Sequence, residues 1–264
     1  MTVSTNFIDH CRPLRSISEP AHRALAEVAR EVRFRRDERL IPLGQPIQRL
    51  LILVDGLAKL VGVSANGHER ILYVYRPGDL VGPTVLLDNY RHDYEVTAMS
   101  AVRTLAVSRR DLLMIGRQHP SIIVAVAQEV SRLIVAMTER VMAATSAEVP
   151  VRLSQLLLEF ANANGDRPGN RVPLGNGDRG GNGHRRVDPL DLVPLNYPLT
   201  HEVMAQIVGA SRPHTSTVLR DLEELGVVQR KSRRGLLVSP ARLAEIVENG
   251  ETGTPGRVEG ERPE

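Results

Sequence analysis

The chain of 264 residues holds one cysteine, Cys11, and its only lysines are Lys59 and Lys231. A single cysteine excludes an intramolecular disulfide and suits a reducing compartment. It also excludes a four-cysteine iron–sulfur cluster within one chain. With lysine nearly absent, arginine carries the positive charge along the whole length, as a high-GC genome would produce, so its abundance is not diagnostic of binding. Apolar runs such as Leu50–Val54 are far too short to span a bilayer. Met1 to Arg15 has neither the apolar stretch nor the small-residue cleavage site of a secretion signal. A soluble, cytoplasmic protein without membrane contact is expected.

What is present supports folded structure. Hydrophobic residues make up 42% of the chain and charged residues 25%, enough for one large domain or two small ones and too apolar for a disordered polyampholyte. A net charge of +3 permits nucleic-acid binding without arguing for it.

Residues 18–30 read as a short helix, with Ser18 as cap, Pro20 in the first turn, and Leu25, Val28 and Ala29 facing inward. From about 32 to 108, short apolar or alternating runs are separated by Gly44, Asp55-Gly56, Asn66-Gly67 and Pro77-Gly78-Asp79. Asn66-Gly67 is a two-residue hairpin signal, because both positions accept positive φ. Many short strands at this spacing predict a small barrel or double-sheet roll. Residues 109–117 predict a short helix ending at Gly116, and a long helix follows over about 121–146. Its residues Val126, Val130, Leu133 and Met137 step by four, three and four, and Val141 continues the line as a coiled-coil-like seam. Ile134 and Val135 widen the apolar surface, so one side can cover the helix's own roll while another meets a second chain; burial inside a monomer is the plainer alternative. Residues 151–161 predict another helix. The glycine-, asparagine- and arginine-rich stretch over about 162–195 cannot bury enough apolar surface to offset its chain entropy and is expected to be a flexible insertion, like the tail 249–264.

Residues 199–238 carry the strongest signal. Thr200 caps a helix reaching Val208, Gly209 ends it, and Ser211 with Pro213 opens a second helix that Gly226 closes. Met204, Val208, Ala210 and Val218 would form the small core of a helix-turn-helix, with Ala205 at the close approach and Thr215 in place of the usual aliphatic. Val227-Val228, the basic stretch Arg230 to Gly235, and Leu236 to Val238 then form a hairpin with a positive tip, a wing suited to phosphates. The second helix would enter the major groove. Its candidate DNA-binding residues are Ser211, Arg212, His214, Ser216, Thr217 and Arg220, joined by Lys231, Arg233 and Arg234 on the wing. Arg212 is the candidate for base readout, since its fork matches O6 and N7 of guanine. Ser211, His214, Arg220 and the wing cations suit phosphates.

The order of segments, with Val54-Asp-Gly-Leu-Ala58, Arg76-Pro-Gly-Asp-Leu-Val-Gly82 and the stretch from Leu199 to Arg212, resembles the cyclic-AMP receptor protein / fumarate-nitrate regulator (CRP/FNR) transcription factors over roughly 18–248. The resemblance implies an α+β fold: an N-terminal cyclic-nucleotide-binding-type β jelly roll, a long dimerisation helix and a C-terminal winged helix-turn-helix. The expected division is a sensor over 1–120, the dimer helix over 121–146 and a DNA-binding domain over 147–248. It further implies a homodimer on a two-fold symmetric site in double-stranded DNA, contact with RNA polymerase, and a small-molecule effector.

The same resemblance places a candidate effector pocket at Gly82, Pro83, Thr84, His92, Asp93, Tyr94, Met137 and Thr138. Cyclic-AMP-binding members carry a Glu after the glycine matched here by Gly82, and an Arg-Ser or Arg-Thr pair about ten residues on. This chain has Pro83, and His92-Asp93 or Asp93-Tyr94. A proline side chain cannot accept a ribose hydroxyl's hydrogen bond, an acid repels phosphate, and His92 replaces an arginine only weakly at neutral pH. Cyclic AMP in the usual mode is therefore not expected, and the cofactor is unknown; an unidentified ligand, a cyclic dinucleotide on another surface and ligand-independent binding stay open. A haem ligand pair at His10-Cys11 is less expected than an ordinary flexible N-terminus. The recognition helix also departs from the receptor pattern at Pro213 and Thr217, so the best-known half-site does not transfer.

Two other function classes compete. An enzyme is not expected: His68, His92 and the carboxylates show neither a nucleophile–base arrangement nor metal-ligand spacing, and no Walker motif is present. A ligand-binding or protein-interaction module that has lost DNA binding is opposed by the basic wing and Arg212.

Overall fold

A computed structural model describes residues 11–63, 69–88, 90–165, 192–195, 197, 199–231 and 235–250. The chain divides into two compact units, Met1–Val141 and Met142–Glu264.

The first unit opens with helix α1 (Glu19–Val28), which buries Ala21, His22, Leu25 and Ala26. Ser18 occupies the cap position without a side-chain bond; its carbonyl accepts from the His22 amide instead. Eight antiparallel strands follow: β1 (Arg30–Phe34), β2 (Arg39–Ile41), β3 (Arg49–Asp55), β4 (Ala58–Val63), β5 (Glu69–Tyr75), β6 (Leu80–Val81), β7 (Tyr94–Ala98) and β8 (Val102–Ser108). They form two four-stranded sheets, ordered β1-β8-β3-β6 and β2-β7-β4-β5, the roll expected from the spacing of turn residues. The hairpin placed at Asn66-Gly67 joins β4 to β5, whose ends pair Val63 with Glu69; the turn itself lies outside the described residues. Leu50 to Leu53 are buried in succession, so both faces of β3 are covered, and the helix over Arg109–Gln118 is among the elements that pack on it.

Helix α2 (Arg109–Gln118) is capped by Ser108, whose Oγ accepts from the Asp111 amide and donates to its carboxylate. It continues past Gly116, which is not a terminator. Gly116 is buried against Ile123, where a Cβ would come within 2.6 Å of that side chain. Helix α3 (Pro120–Ser146) is long and apolar enough, by length and composition, to cross a membrane over Pro120–Ala144, contrary to the expectation from Leu50–Val54. Here Ile122, Ala125 and Val126 are buried in the core of the roll.

Of the seam predicted on α3, Val126 is closed off by the roll itself. Val126 is fully buried, Val130, Leu133 and Met137 are half-buried, and Met137 packs on the roll's core. The exposed apolar side carries Val124, Ile134 and Val135, with Val141 alone from the predicted set. A helix with two apolar stripes satisfies the same periodicity on either side, and the contact with its own sheets decides which is inward.

In the second unit, α4 (Val149–Gly165) packs on α5 (His201–Val208), α6 (Arg212–Glu224) and α7 (Pro240–Asn249). Strands β10 (Val228–Arg230) and β11 (Leu236–Val238) make the expected hairpin, and β9 (Val193–Leu195) adds a third strand on β11. The segment expected as a flexible insertion over 162–195 is thus helical to Gly165 and a strand at its other end, while 166–191 lies outside the described residues, as do 251–264. Phe160, fully buried, meets the Tyr197 ring edge-on, with centroids 5.2 Å apart.

Candidate nucleic-acid interface and effector pocket

Helices α5 and α6 take the expected arrangement from local chemistry. Thr200 accepts from the Val203 amide and Ser211 from the His214 amide, each satisfying a donor that the first turn leaves over. Gly209 ends α5 at φ +70, a left-handed conformation that costs a side-chain-bearing residue about 1–2 kcal/mol. After α6, the Gly226 amide donates to Glu223 and the Val227 amide to Leu222, the paired bonds that end a helix tightly. Thr215, Val218, Leu219 and Leu222 make the buried stripe of α6. Thr215 fills an aliphatic position because its hydroxyl donates to the Ser211 carbonyl at 3.0 Å, so nothing polar is left unsatisfied. Ala210 is half-buried, at the edge of this core.

At 100° per residue, the side of α6 opposite that stripe is centred on Pro213, Thr217 and Arg220, with Arg212 and Ser216 on one flank and His214 on the other. Arg212, His214, Thr217 and Arg220 are exposed, and Ser216 is half-buried. Thr217 donates to the Pro213 carbonyl, and the Ser211 hydroxyl accepts the capping bond from the His214 amide. On the wing, Lys231 is exposed, whereas Arg233 and Arg234 lie outside the described residues. Arg230, at the wing's root, is tied back to Glu223 on α6 at 3.1 Å.

One residue escaped sequence reasoning here. His201, first in α5, bonds Ser216 of α6 through Nδ1 at 2.8 Å and so joins the two helices on the outer side. Burial lowers its pKa, and Arg230 and Arg212 nearby add to that lowering while Glu223 opposes it, so the ring is neutral at pH 7. Its position after a helix cap was visible in the chain; its partner fifteen residues on was not.

In the first unit, Gly82 adopts φ +73 and caps a short 3₁₀ turn, Pro83–Leu86, in which Pro83 is buried. Thr84 Oγ1 lies 3.3 Å from both His92 Nε2 and Tyr94 OH, so the structure brings three of the predicted pocket residues together. His92 is buried, packed against the Tyr90 and Tyr94 rings at 4.7 and 4.4 Å between centroids, and its Nδ1 has no hydrogen-bond partner. Burial lowers the His92 pKa, outweighing the nearby Asp93 charge, and raises that of Tyr94 despite its bond to Thr84. The cluster is therefore uncharged at pH 7.

Asp93, in the bend before β7, is exposed, whereas His92 beside it is buried. Its carboxylate still acts on the cluster through charge, opposing the lowering of the His92 pKa. Met137 packs on the core, and Thr138 is exposed, its hydroxyl bonded to the Ile134 carbonyl. The guanidinium that reaches the turn, Arg109, is committed to the Val85 carbonyl at 3.0 Å and Asp88 at 3.5 Å. Tyr73 and Tyr75, not foreseen, stack edge-on at 5.0 Å, and Arg140 lies 5.5 Å above the Tyr73 ring. Burial pushes both phenols well above their ordinary range. Cys11 is not part of a flexible terminus: it is fully buried and its thiol donates to the Gly78 carbonyl at 2.9 Å, while His10 lies outside the described residues.

Comparison with known proteins follows the same division. Residues 31–119 match the cyclic nucleotide-binding domain, and residues 151–246 match the Crp-like helix-turn-helix domain. The chain is 25% identical over 221 residues to the CRP-like cAMP-activated global transcriptional regulator of Mycobacterium tuberculosis, covering 84% of this chain and 89% of that protein. It is 29% identical over 198 residues to the cyclic AMP receptor protein of Thermus thermophilus, covering 72% and 79%. Its fold is similar to that of FixK2 from Bradyrhizobium japonicum, with a TM-score of 0.65 at 16% identity over 86% of this chain and 99% of that one. With both domains present in this order, the chain belongs to the CRP/FNR family, whose members are transcription regulators rather than enzymes.

Proposed function

We propose that this regulator is a cytoplasmic homodimer that binds a palindromic site in double-stranded DNA through α6 and the wing, contacts RNA polymerase, and does not use cyclic AMP in the usual mode. The observation that carries the DNA reading is α6 itself: its inner stripe is sealed while Arg212, His214, Thr217 and Arg220 stand exposed on a doubly capped helix. Arg212 pairs with guanine, a contact worth about 1–3 kcal/mol of discrimination. His214, Arg220 and Lys231 neutralise phosphates, and Ser216 and Thr217 line the groove between them. The exposed apolar side of α3, with Val124, Ile134 and Val135, is the surface a second copy would cover. That differs from the seam first read from periodicity.

The sensor reading rests on the neutral Thr84–His92–Tyr94 cluster. A cyclic phosphate needs a cation or several strong donors. Here a buried neutral imidazole and two hydroxyls face one another, and Pro83 offers no amide hydrogen. The test is selection of bound sequences from random duplex DNA by the purified protein at stated salt, with and without cyclic AMP. An inverted repeat enriched equally in both conditions is expected, with sedimentation showing a dimer. Enrichment only with cyclic AMP would sink the sensor reading; no enrichment in either condition would favour an interaction module that has lost DNA binding.

A further inference from the structure

We propose that the sensor unit holds a second small-molecule site, a cleft between its two sheets that takes a medium-chain aliphatic carboxylate. The cleft has a volume of about 240 Å³ and draws its walls from both sheets: Val32 and Phe34 on β1, Ile41 on β2, Leu51 on β3, and Ile47 from the connection between β2 and β3. Val32 and Phe34 alternate with the exposed Glu31 and Arg33 along β1, so both turn into the cleft and are only half-buried there. These are apolar side chains at the edge of the core, facing a groove that opens to solvent.

The rim supplies the charge. Arg49 stands two residues before Leu51 on β3 and shares its side of the sheet. It is exposed, and among the described residues no carboxylate pairs with it. An apolar pocket with one cation at its mouth fits an amphiphile with one negative end. The volume lies below the roughly 300–1,000 Å³ of drug-sized sites, which favours a short chain over a long lipid. A phosphate dianion would find too few donors.

The cleft is joined to the effector segment on two sides. Gly82, the cap of the turn that carries Thr84, lies directly against the cleft's wall: a Cβ there would come within 3.0 Å of Ile41 Cδ1 and 3.1 Å of Ile47 Cγ2. On the other side, the Gly44 amide donates to the His92 carbonyl at 2.9 Å, and Pro46 bridges to Arg91. A ligand that spreads Ile41 and Ile47 therefore displaces the backbone at both ends of the Thr84–His92 contact. The inference does not depend on the DNA-binding reading, and its test uses no DNA.

The test is calorimetric titration of the full-length protein with octanoate, below its micelle concentration, with octanol and butyrate as comparators. Saturable binding of one octanoate per chain is expected, weakening about fourfold for each methylene removed. Arg49→Gln should weaken octanoate about tenfold and leave octanol unchanged, because the exposed arginine supplies only a charge-assisted bond. Ile47→Phe, which fills the space, should abolish both. Octanoate should also shift the His92 imidazole resonances. Absence of saturable binding at millimolar octanoate, or equal affinity in Arg49→Gln, overturns the proposal. Binding that appears only after removal of residues 1–10 overturns it too, and makes the cleft the seat of that segment.

Discussion

The two units build their functional surfaces in opposite ways. In the helix-turn-helix, the polar residues stand exposed on a helix whose ends are fixed by their own neighbours: Thr200 with Val203, Ser211 with His214. In the sensor, the polar residues are buried or half-buried, come from positions eight and ten residues apart, and face one another: Thr84 with His92 and Tyr94. An exposed surface can change its side chains at little cost to the fold. A cluster enclosed in the fold changes its binding chemistry and its packing together.

The largest test of that contrast is Phe160→Ala. Removing this fully buried ring should cost about 3–5 kcal/mol. Hydrogen exchange should then show protection lost over 149–250 and kept over 30–108. Equal losses in both would mean that the two units do not hold their stability separately. Next is Arg212→Ala, expected to weaken binding to the selected site by about 1–3 kcal/mol per half-site and relax the preference at one base pair. Its melting temperature should not move, since Arg212 is exposed. A binding competition across base substitutions reads this directly, and uniform weakening at every base would reassign Arg212 to phosphate. Gly82→Ala should destabilise the sensor by about 1–2 kcal/mol, because φ +73 is unfavourable for alanine and the new methyl presses on Ile41 and Ile47. Denaturant titration measures it.

The smallest effect is on pH dependence. Folding lowers the pKa of both His92 and His201, in each case chiefly by burial. The unfolded chain then binds more protons than the folded one once pH falls below the ordinary histidine value of about 6.5. Stability is full above that value and declines as pH falls through the lowered pKa values. Melting curves at pH 7.5 and 5.5 should show the decline, and His92→Gln or His201→Gln should each remove part of it. DNA affinity is expected to move the other way, since a protonated His201 adds positive charge beside α6. A parallel fall in stability and affinity would place His201 away from the phosphates.

Much of the architecture was legible in the chain because its signals are local. Turn residues marked the strands of the roll, and Thr200, Gly209, Ser211 and Gly226 marked both helix ends through bonds that reach three to five residues. What depended on tertiary contact was harder to read. Periodicity on α3 allowed two apolar sides, and the roll selected Val126 and Met137 rather than Val124 and Val135 as the inner one. Gly116 reads as a stop signal until Ile123 is seen to lie against it. Strand β9 was hidden because three residues beside a biased stretch carry no pattern of their own and are ordered only by pairing with β11. The Arg140–Tyr73 contact and the His201–Ser216 bond were missed for the same reason: the partners are distant in sequence.

The buried thiol of Cys11, bonded to a carbonyl sixty-seven residues away, gives the protein a chemical clock. An alkylating reagent can reach that sulfur only while the segment before α1 is lifted from the turn at Gly78. With no second cysteine to compete, the rate of modification under native conditions counts those openings one by one. Any ligand that tightens the roll should slow the clock, whether or not the ligand has been identified.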